Sequence, residues 1–351
     1  MMKFAHEICG AIHLHTNYSD GGISYEELID AASSLCLDYV VVTDHMSLGG
    51  KKDGYEGFRK NVCVLVGYEH HDKDKLNHYL AMGVNNIKCK ERPASEYIRA
   101  IRDAGGMGFI AHPEECRHYF GNLPPYPWTD WSVDTFDGIE IWNQMSDWVE
   151  QLKSWLSFVR IVYPRRFLGA APQKALQKWD ALNRIRMVSG IGGVDAHSFR
   201  IGFSFLALTI FPIKVMLKGI RTHLYLASNL DKSDYQTSQQ MIKDALRNGS
   251  GFFSNYRRGD ARGSLFYIDN KDGIIHGPGK SAQSTFPAVL NVVLPESAEI
   301  HLINNGIKEK TIMGSKAQFK IESNGVYRIE VTKKSKAWIY SNPFPVGPYP
   351  I

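Results

Sequence analysis

Cysteine is scarce in this 351-residue chain. Cys9, Cys36, Cys63, Cys89 and Cys116 are odd in number, widely spaced and form no C-x-x-C pair. That argues against a disulfide framework and suits a reducing compartment. Long apolar runs are missing as well. The uncharged stretch between Arg200 and Lys214 holds 13 residues and includes Pro212, whereas a membrane span needs roughly 20 apolar residues. The opening residues MMKFAHEICG place Lys3 and Glu7 ahead of any apolar run, so no signal-peptide core is expected there. Nor is one sign of charge in excess: 41 basic side chains stand against 36 acidic ones, a net +5. A balance that small does not argue for a nucleic-acid groove. The expectation is a cytoplasmic protein with no membrane span.

What is present is an ordinary globular balance, 22% charged and 44% apolar, which excludes disordered and collagen-like classes. Short apolar runs alternate with helical patterns over the first three-quarters, the grammar of an α/β protein. Strands are expected at Ile8–His13, Tyr39–Thr43, Val62–Gly67, Gly108–His112, Gly138–Trp142, Gly190–Asp195 and Leu224–Leu226. Helices are expected from Ser24, where Glu27 completes a capping box, over Ala94–Ala104, over Gln173–Arg186 and over Ser238–Arg247. Seven strands with interleaved helices suggest a β/α barrel, although an open doubly wound sheet reads similarly. Beyond residue 275 the helical period disappears. Runs at Ala288–Leu294, Glu299–Ile303, Ala317–Ile321, Val326–Val331 and Ala337–Tyr340 are separated by Pro295, Asn305–Gly306 and Asn324–Gly325. Residues 1–275 and 276–351 therefore read as two domains, the second a small all-β, sandwich-like module with nine basic and five acidic side chains.

The chemistry-bearing residues gather at expected strand ends. His13 and His15 form an H-x-H pair, and Asp20 follows on the adjoining loop. Positions i and i+2 of a strand share a side, so both imidazoles can meet one metal. Asp44 and His45 end V-V-V-T-D-H, Glu69 ends V-G-Y-E, His78 precedes Y-L-A-M-G, and His112 ends F-I-A-H-P; Asp195 and His197 lie in G-G-V-D-A-H-S. Any one of these histidines alone reads as a hydrogen-bonded core or rim residue. Six of the thirteen at strand edges, with three carboxylates, are a different matter. Packing them together uncompensated would cost several kcal/mol per buried ion, on the order given by desolvation. Divalent cations remove that cost, so the set reads as a metal centre.

In their order, H-L-H, V-T-D-H, G-Y-E, N-H-Y-L, A-H-P and G-G-V-D-A-H resemble the polymerase-and-histidinol-phosphatase (PHP) family of metal-dependent phosphoesterases, over roughly residues 6–250. The resemblance implies a distorted seven-stranded β/α (TIM-like) barrel with up to three metal ions in a cleft. It implies that His13, His15, Glu69 and Asp195 hold the first ion, that Glu69 bridges to a second with His78 and His112, and that Asp20, His45 and His197 hold the third. Some members have His where this chain has Asp20; both side chains can ligate. The β tail, ending W-I-Y-S-N-P, looks like the appended module of a bacterial subgroup.

Such a site attracts a phosphate dianion, and a metal-held water with its pKa lowered to about 7, as on zinc, supplies hydroxide for in-line attack. Glu69, Asp195 and Asp44 are the catalytic carboxylates of this reading, Asp44 by orienting a ligand or handling a proton. Glu140 and Asn143 line the cleft as candidates, and Arg117 and Arg200 are candidate grips for a substrate phosphate. His70 and His71, in H-H-D-K-D-K, read as exposed; Arg257 and Arg258 read as a solvated turn; Trp142, Trp148 and Trp155 read as packing anchors. Imidazole suits zinc or iron, and carboxylates with water suit manganese. The expected partner is a small phosphorylated substrate, a phosphomonoester or small nucleotide phosphoester. The alternatives are a nuclease acting on oligonucleotides, which a long basic groove would favour, and a non-catalytic interaction module stabilised by metal.

Overall fold

The computed structural model describes residues 6–117, 124–152, 168–201, 208–270, 273, 275–279 and 287–349. The chain opens with β1 (His6–Leu14), α1 (Tyr25–Ser34), β2 (Tyr39–Val42), α2 (Gly49–Lys52), β3 (Gly57–Arg59), β4 (Val62–Val66), β5 (Tyr68–His70) and β6 (Tyr79–Met82). It continues with α3 (Ala94–Asp103), β7 (Met107–Ile110), β8 (Gly138–Asn143), α4 (Gln144–Glu150), α5 (Gln173–Asn183) and β9 (Ser189–Gly193). The capping box of α1 is formed: Glu27 N–H donates to Ser24 Oγ at 3.2 Å and Ser24 N–H to Glu27 Oε2 at 3.0 Å.

These strands do not close into one ladder, which corrects the barrel expectation. Gly67 breaks the third apolar run into β4, which pairs with β2, and β5, which pairs with β6. Strands β5 to β9 form one sheet, while β1 to β4 belong to a larger one. The two sheets meet along two seams. Glu69 N–H donates to the Thr43 carbonyl at 3.2 Å on one, and Val194 N–H to the Ile12 carbonyl at 2.9 Å on the other. Beside the second seam a side chain stands in for a ladder: Thr222 Oγ1 donates to the Gly192 carbonyl at 2.8 Å and accepts from Gly192 N–H at 3.1 Å. Ile12, Val41, Leu65, Leu80, Phe109 and Ile191, drawn from both sheets, share one apolar core. The alternate residues Val40, Val42, Val64 and Ala81 pack into another with α1 and α3. Burial on both faces is why these strands read as continuous apolar runs rather than alternating ones.

After β10 (Phe199–Ile201), β11 (Leu208–Ile210) and α6 (Ile213–Met216) come β12 (Ile220–Leu226), α7 (Tyr235–Arg247) and β13 (Gly251–Asn255). Helix α7 starts ahead of the expected Ser238, because Asp234 caps it by accepting from Thr237 N–H. Then follow β14 (Leu265–Asn270), β15 (Ile275–His276), β16 (Ala288–Asn304), β17 (Ile307–Ile321), β18 (Gly325–Lys333), β19 (Lys336–Ser341) and β20 (Phe344–Val346). Two expected strands are one: Pro295 sits within β16, where the β16–β17 register shifts between Val293 and Ala298, and marks an irregularity instead of a turn. The expected hairpin at Asn305–Gly306 has the two positive φ angles, 49° and 85°, of a tight turn. Strand β14 pairs with β16 from ahead of residue 276, and β19 pairs with β13, so the large sheet runs unbroken from β4 into the tail. Among the described residues β17 pairs with β16 alone.

Candidate metal centre

Strand direction places the donors at one end. β7, β8 and β9 are parallel, but β6 runs antiparallel to both β5 and β7. A donor just before β6 therefore lies beside donors that follow the other strands, and that is His78. His13 sits at a register shift between Ile12 and Leu14 in the β1–β2 pairing and has φ 66°. A bulge of this kind re-aims a side chain, so simple alternation is not what brings His13 and His15 together. Asp195 (φ 53°) and His112 (φ 27°) are also in the left-handed half of backbone space. Strain of that kind persists where surrounding contacts over-determine it, and it clusters at functional sites.

Glu69 is the hub and is 1% exposed. Its Oε2 lies 3.1 Å from His13 Nε2, 3.3 Å from His15 Nε2 and 3.2 Å from His45 Nδ1. Its Oε1 lies 2.7 Å from His78 Nδ1 and 3.1 Å from His112 Nε2. Asp195 Oδ1 faces His13, His15 and His197 at 3.5, 3.3 and 3.4 Å. Asp20 Oδ2 lies 3.3 Å from His197 Nε2 and 3.7 Å from His45 Nε2. All nine expected ligands thus fall into compact donor groups: His15, Asp20, His45 and His197; His13, His15 and Asp195; His13, Glu69 and His112; His45, Glu69 and His78.

The electrostatics are those of carboxylates and imidazoles packed closely together. Burial opposes protonation of His13, but Asp195, Glu140 and Glu69 outweigh it and raise its pKa well above the usual value. Burial is likewise overcome at His15 by Asp195 and Glu69, and at His112 by Glu69 and Glu115, each imidazole rising to about 9. Burial pushes the Glu69 carboxyl up, yet His13, His45 and His78 bring it well below its usual range. Asp195 behaves alike, with burial overcome by His13 and His15. Burial lowers His45 to about 3, Glu69 notwithstanding. The donor set itself fits divalent transition metals, being imidazole nitrogen with carboxylate oxygen. Four buried nitrogens, both of His15 together with Nδ1 of His45 and of His112, have no hydrogen-bond partner, a costly state unless something else binds there.

A supporting ring surrounds the ligands. Glu140, 1% exposed, accepts from His13 Nδ1 at 2.9 Å, from His112 N–H at 2.8 Å and from Asn143 Nδ2 at 2.9 Å. Asn143 also reaches Asp195 Oδ2 at 3.2 Å and caps α4 through Ser146 N–H. Only glycine fits at 193, since a Cβ there would stand 1.7 Å from Glu140 Oε1. Asp44 lies outside the donor groups. It accepts from Thr16 N–H (2.7 Å), Thr16 Oγ1 (2.8 Å) and Ser19 Oγ (2.8 Å), and so ties down the loop that carries Asp20.

The site opens into a cleft of about 800 Å³. Arg117 lies on its wall, 2.9 Å from Glu115 Oε1 and 5.3 Å from the Tyr126 ring centre. Arg200 belongs to β10, but its side chain lies outside the described residues, as does Trp155. Trp142 and Trp148 are buried. Arg257 and Arg258 donate to the Val215 and Leu168 carbonyls. His70 corrects the sequence reading. It is fully buried, pairs with Tyr79 across the ladder, stacks on Tyr97 at 4.0 Å, and its Nε2 lies 2.7 Å from the Lys88 carbonyl. Its neighbour His71 lines the cleft. Sequence reasoning passed over Glu115 and Tyr126; Tyr126 stacks on His78 at 5.0 Å, and no spacing rule connects the two.

With this geometry in view, comparison with known families is direct. Residues 11–105 match the family model of the PHP domain. Over that stretch the chain is similar to the PHP domain. The matched PHP segment contains His13, His15, Asp20, His45, Glu69 and His78, while His112, Asp195 and His197 come from beyond it. No curated protein matches the chain. A solved structure from Bacteroides vulgatus, described as "a two-domain protein containing predicted PHP-like metal-dependent phosphoesterase", is similar at 14% identity and TM-score 0.48, over 97% of this chain and 96% of that one. PsfC from Pseudomonas syringae is similar at 13% identity and TM-score 0.42, over 69% and 90%. The functional reading rests on the cleft's own residues and not on these likenesses.

Proposed function

We propose that the chain is a metal-dependent hydrolase of phosphoester bonds, acting on a small phosphorylated substrate. One observation carries this reading: the two oxygens of Glu69 face separate imidazole groups, His13, His15 and His45 on one side, His78 and His112 on the other. A carboxylate so placed is suited to bridging. His13, His15, Glu69 and Asp195 would hold a first ion, Glu69, His78 and His112 a second, and Asp20, His45 and His197 a third. When bound, divalent cations there supply Lewis-acid polarisation of a phosphoryl oxygen and a water of lowered pKa.

The chain's own residues do the rest. Glu140 accepts the Nδ1 proton of His13, which fixes the tautomer and leaves Nε2 directed at Glu69 and Asp195. Asp44 acts as a positioning residue, since its bonds to Thr16 and Ser19 set the approach of Asp20. Arg117, and Arg200 from β10, would bring positive charge to the substrate phosphate. A cytoplasmic setting belongs to the same reading, supported by five cysteines that stand as free thiols. So does a division at residue 276, supported by an apolar cluster centred on Leu290, Phe319, Ile329 and Trp338, although Phe252, Phe266 and Ile268 from ahead of that residue join it.

The test is a panel of phosphomonoesters, nucleotides and short oligonucleotides against manganese-, zinc- and iron-reconstituted protein, with elemental analysis. Two to three ions per chain and chelator-sensitive phosphate release from a monoester are expected. Under one ion after reconstitution would overturn the reading. Full occupancy without hydrolysis would make the chain a non-catalytic metal module, and hydrolysis confined to oligonucleotides would make it a nuclease.

A further inference from the structure

The cleft has two unlike walls. One is the donor cage. The other is made of Met145, Trp148, Val149 and Leu152 from α4 and the turn after it, with Ile210 and Phe211 facing in from β11 and beyond. Trp148 and Phe211 meet edge to face at 4.5 Å, which fixes both rings. Two further rings stand at the border between the walls: Tyr126 stacks on His78 at 5.0 Å, and Phe199, 41% exposed, stacks on His197 at 5.6 Å.

Two polar side chains beside this wall, Glu115 and Gln144, are already engaged. Glu115 Oε1 takes Arg117 Nη2 and Ser146 Oγ, and its Oε2 takes Tyr126 N–H. The side chain of Gln144, at the head of α4, binds the Met216 carbonyl and Ile220 N–H. A hydroxyl-rich leaving group placed here would give up hydrogen bonds to water and meet mainly apolar side chains among the described residues of this wall, a loss that sites built for sugars avoid with donors and acceptors of their own. An apolar group would instead release water from the wall.

Resting on the phosphoesterase reading, we infer that the substrate is a phosphoester of an uncharged apolar or aromatic alcohol, with its phosphate at the donor cage and its alcohol portion against the Trp148–Phe211 wall. Val149 and Phe199 then act as specificity residues. Both are partly solvent-accessible, so changing them does not hollow the core.

The experiment uses the full-length chain loaded with manganese and non-hydrolysable ligands. Affinities for phenyl-, butyl- and methylphosphonate are measured by calorimetry in the wild type, Phe199→Ser and Val149→Thr. Phenyl- or butylphosphonate should bind on the order of tenfold more tightly than methylphosphonate, the scale set by burying a few apolar groups. The phenyl-to-butyl ratio tells a planar occupant from a flexible one. Both substitutions should shrink the advantage over methylphosphonate several-fold. Equal affinities for the three ligands, or an advantage untouched in both variants, would overturn the inference. Hydrolysis of phenyl and butyl phosphate against glucose 6-phosphate, read as kcat/KM, separates the two levels of the argument. An apolar preference in binding with no hydrolysis of any ester sinks the phosphoesterase reading and leaves the wall. Brisk hydrolysis that favours glucose 6-phosphate sinks the wall and leaves the phosphoesterase.

Discussion

The donor cage and the seam between the tail and the rest of the molecule both bury charge, and they treat it oppositely. At the seam the buried charge is fully paired. Arg328, its side chain 3% exposed, donates to both oxygens of Asp180 at 2.7 and 2.8 Å and to Glu330 at 2.5 Å. Asn342 accepts from Gly190 N–H at 2.7 Å and donates to its carbonyl at 2.9 Å. In the cage, four imidazole nitrogens are buried with no hydrogen-bond partner. His223 makes the contrast within one residue type: its Nδ1 meets Glu7 at 2.8 Å and its Nε2 meets Ser254 Oγ at 2.9 Å. Saturated polar groups hold the fold together. The unpaired imidazole nitrogens of the cage lie instead within compact groups of metal-capable donors.

The sharpest way to break this contrast is at the seam. Arg328→Ala leaves Asp180 buried and unpaired, so stability should fall by about 3–5 kcal/mol, measured by urea unfolding, with metal content per folded chain unchanged. A fall in metal content alone would erase the distinction. Next in size is Glu69→Gln, which keeps volume but removes the charge facing two imidazole groups. Turnover should drop on the order of 10²–10³-fold, as for loss of one electrostatic element in a preorganised site. Metal content should drop with it while circular dichroism stays native. Retained turnover would remove Glu69 from the hub. Lys73→Ala, at an exposed position, serves as the control, since the nearer His70 ring is buried. Glu140→Gln is smaller, weakening metal binding roughly 10–100-fold through His13; an unchanged affinity would make Glu140 a scaffold residue only.

The smallest effect is the pH response of saturated His223. Burial opposes its protonation, but Cys9 and Glu7 raise its pKa to about 9. A raised histidine stabilises fully below its unfolded value of about 6.5, and that stability is lost as pH climbs through the folded value. With the cage saturated by metal, wild type should lose on the order of 2 kcal/mol more than His223→Gln between pH 6.5 and 9.5. Parallel profiles for the two would count against a charged His223.

The convergence of the expected donors was legible because few side chains can bind metals and their motifs are local. The capping box of α1 was legible for the same reason. Strand direction was not: β6, buried on both faces, reads alike whichever way it runs. The break at Gly67 was hidden because a glycine after four or five apolar residues marks the end of a strand as readily as a change of sheet. His70 misled through its company, since H-H-D-K-D-K looks solvated while the ladder to Tyr79 and the Tyr97 ring enclose it. The hold of Glu140 on His13 spans 127 positions, beyond any local pattern. The pairing of β19 with β13 was equally invisible, because edge complementarity leaves no mark in either strand alone.

Strand β17 gives the basic bias of the tail a meaning. An edge fifteen residues long, unpaired among the described residues, is an invitation to another copy of the chain. Lys308, Lys310, Lys316 and Lys320 stand exposed along it. Two such edges approaching each other would bring their ammonium groups together, and a repulsion of that kind weakens with ionic strength. The surplus positive charge then works as insurance against self-association, a task for which the sign of the charge is incidental and its repetition is everything.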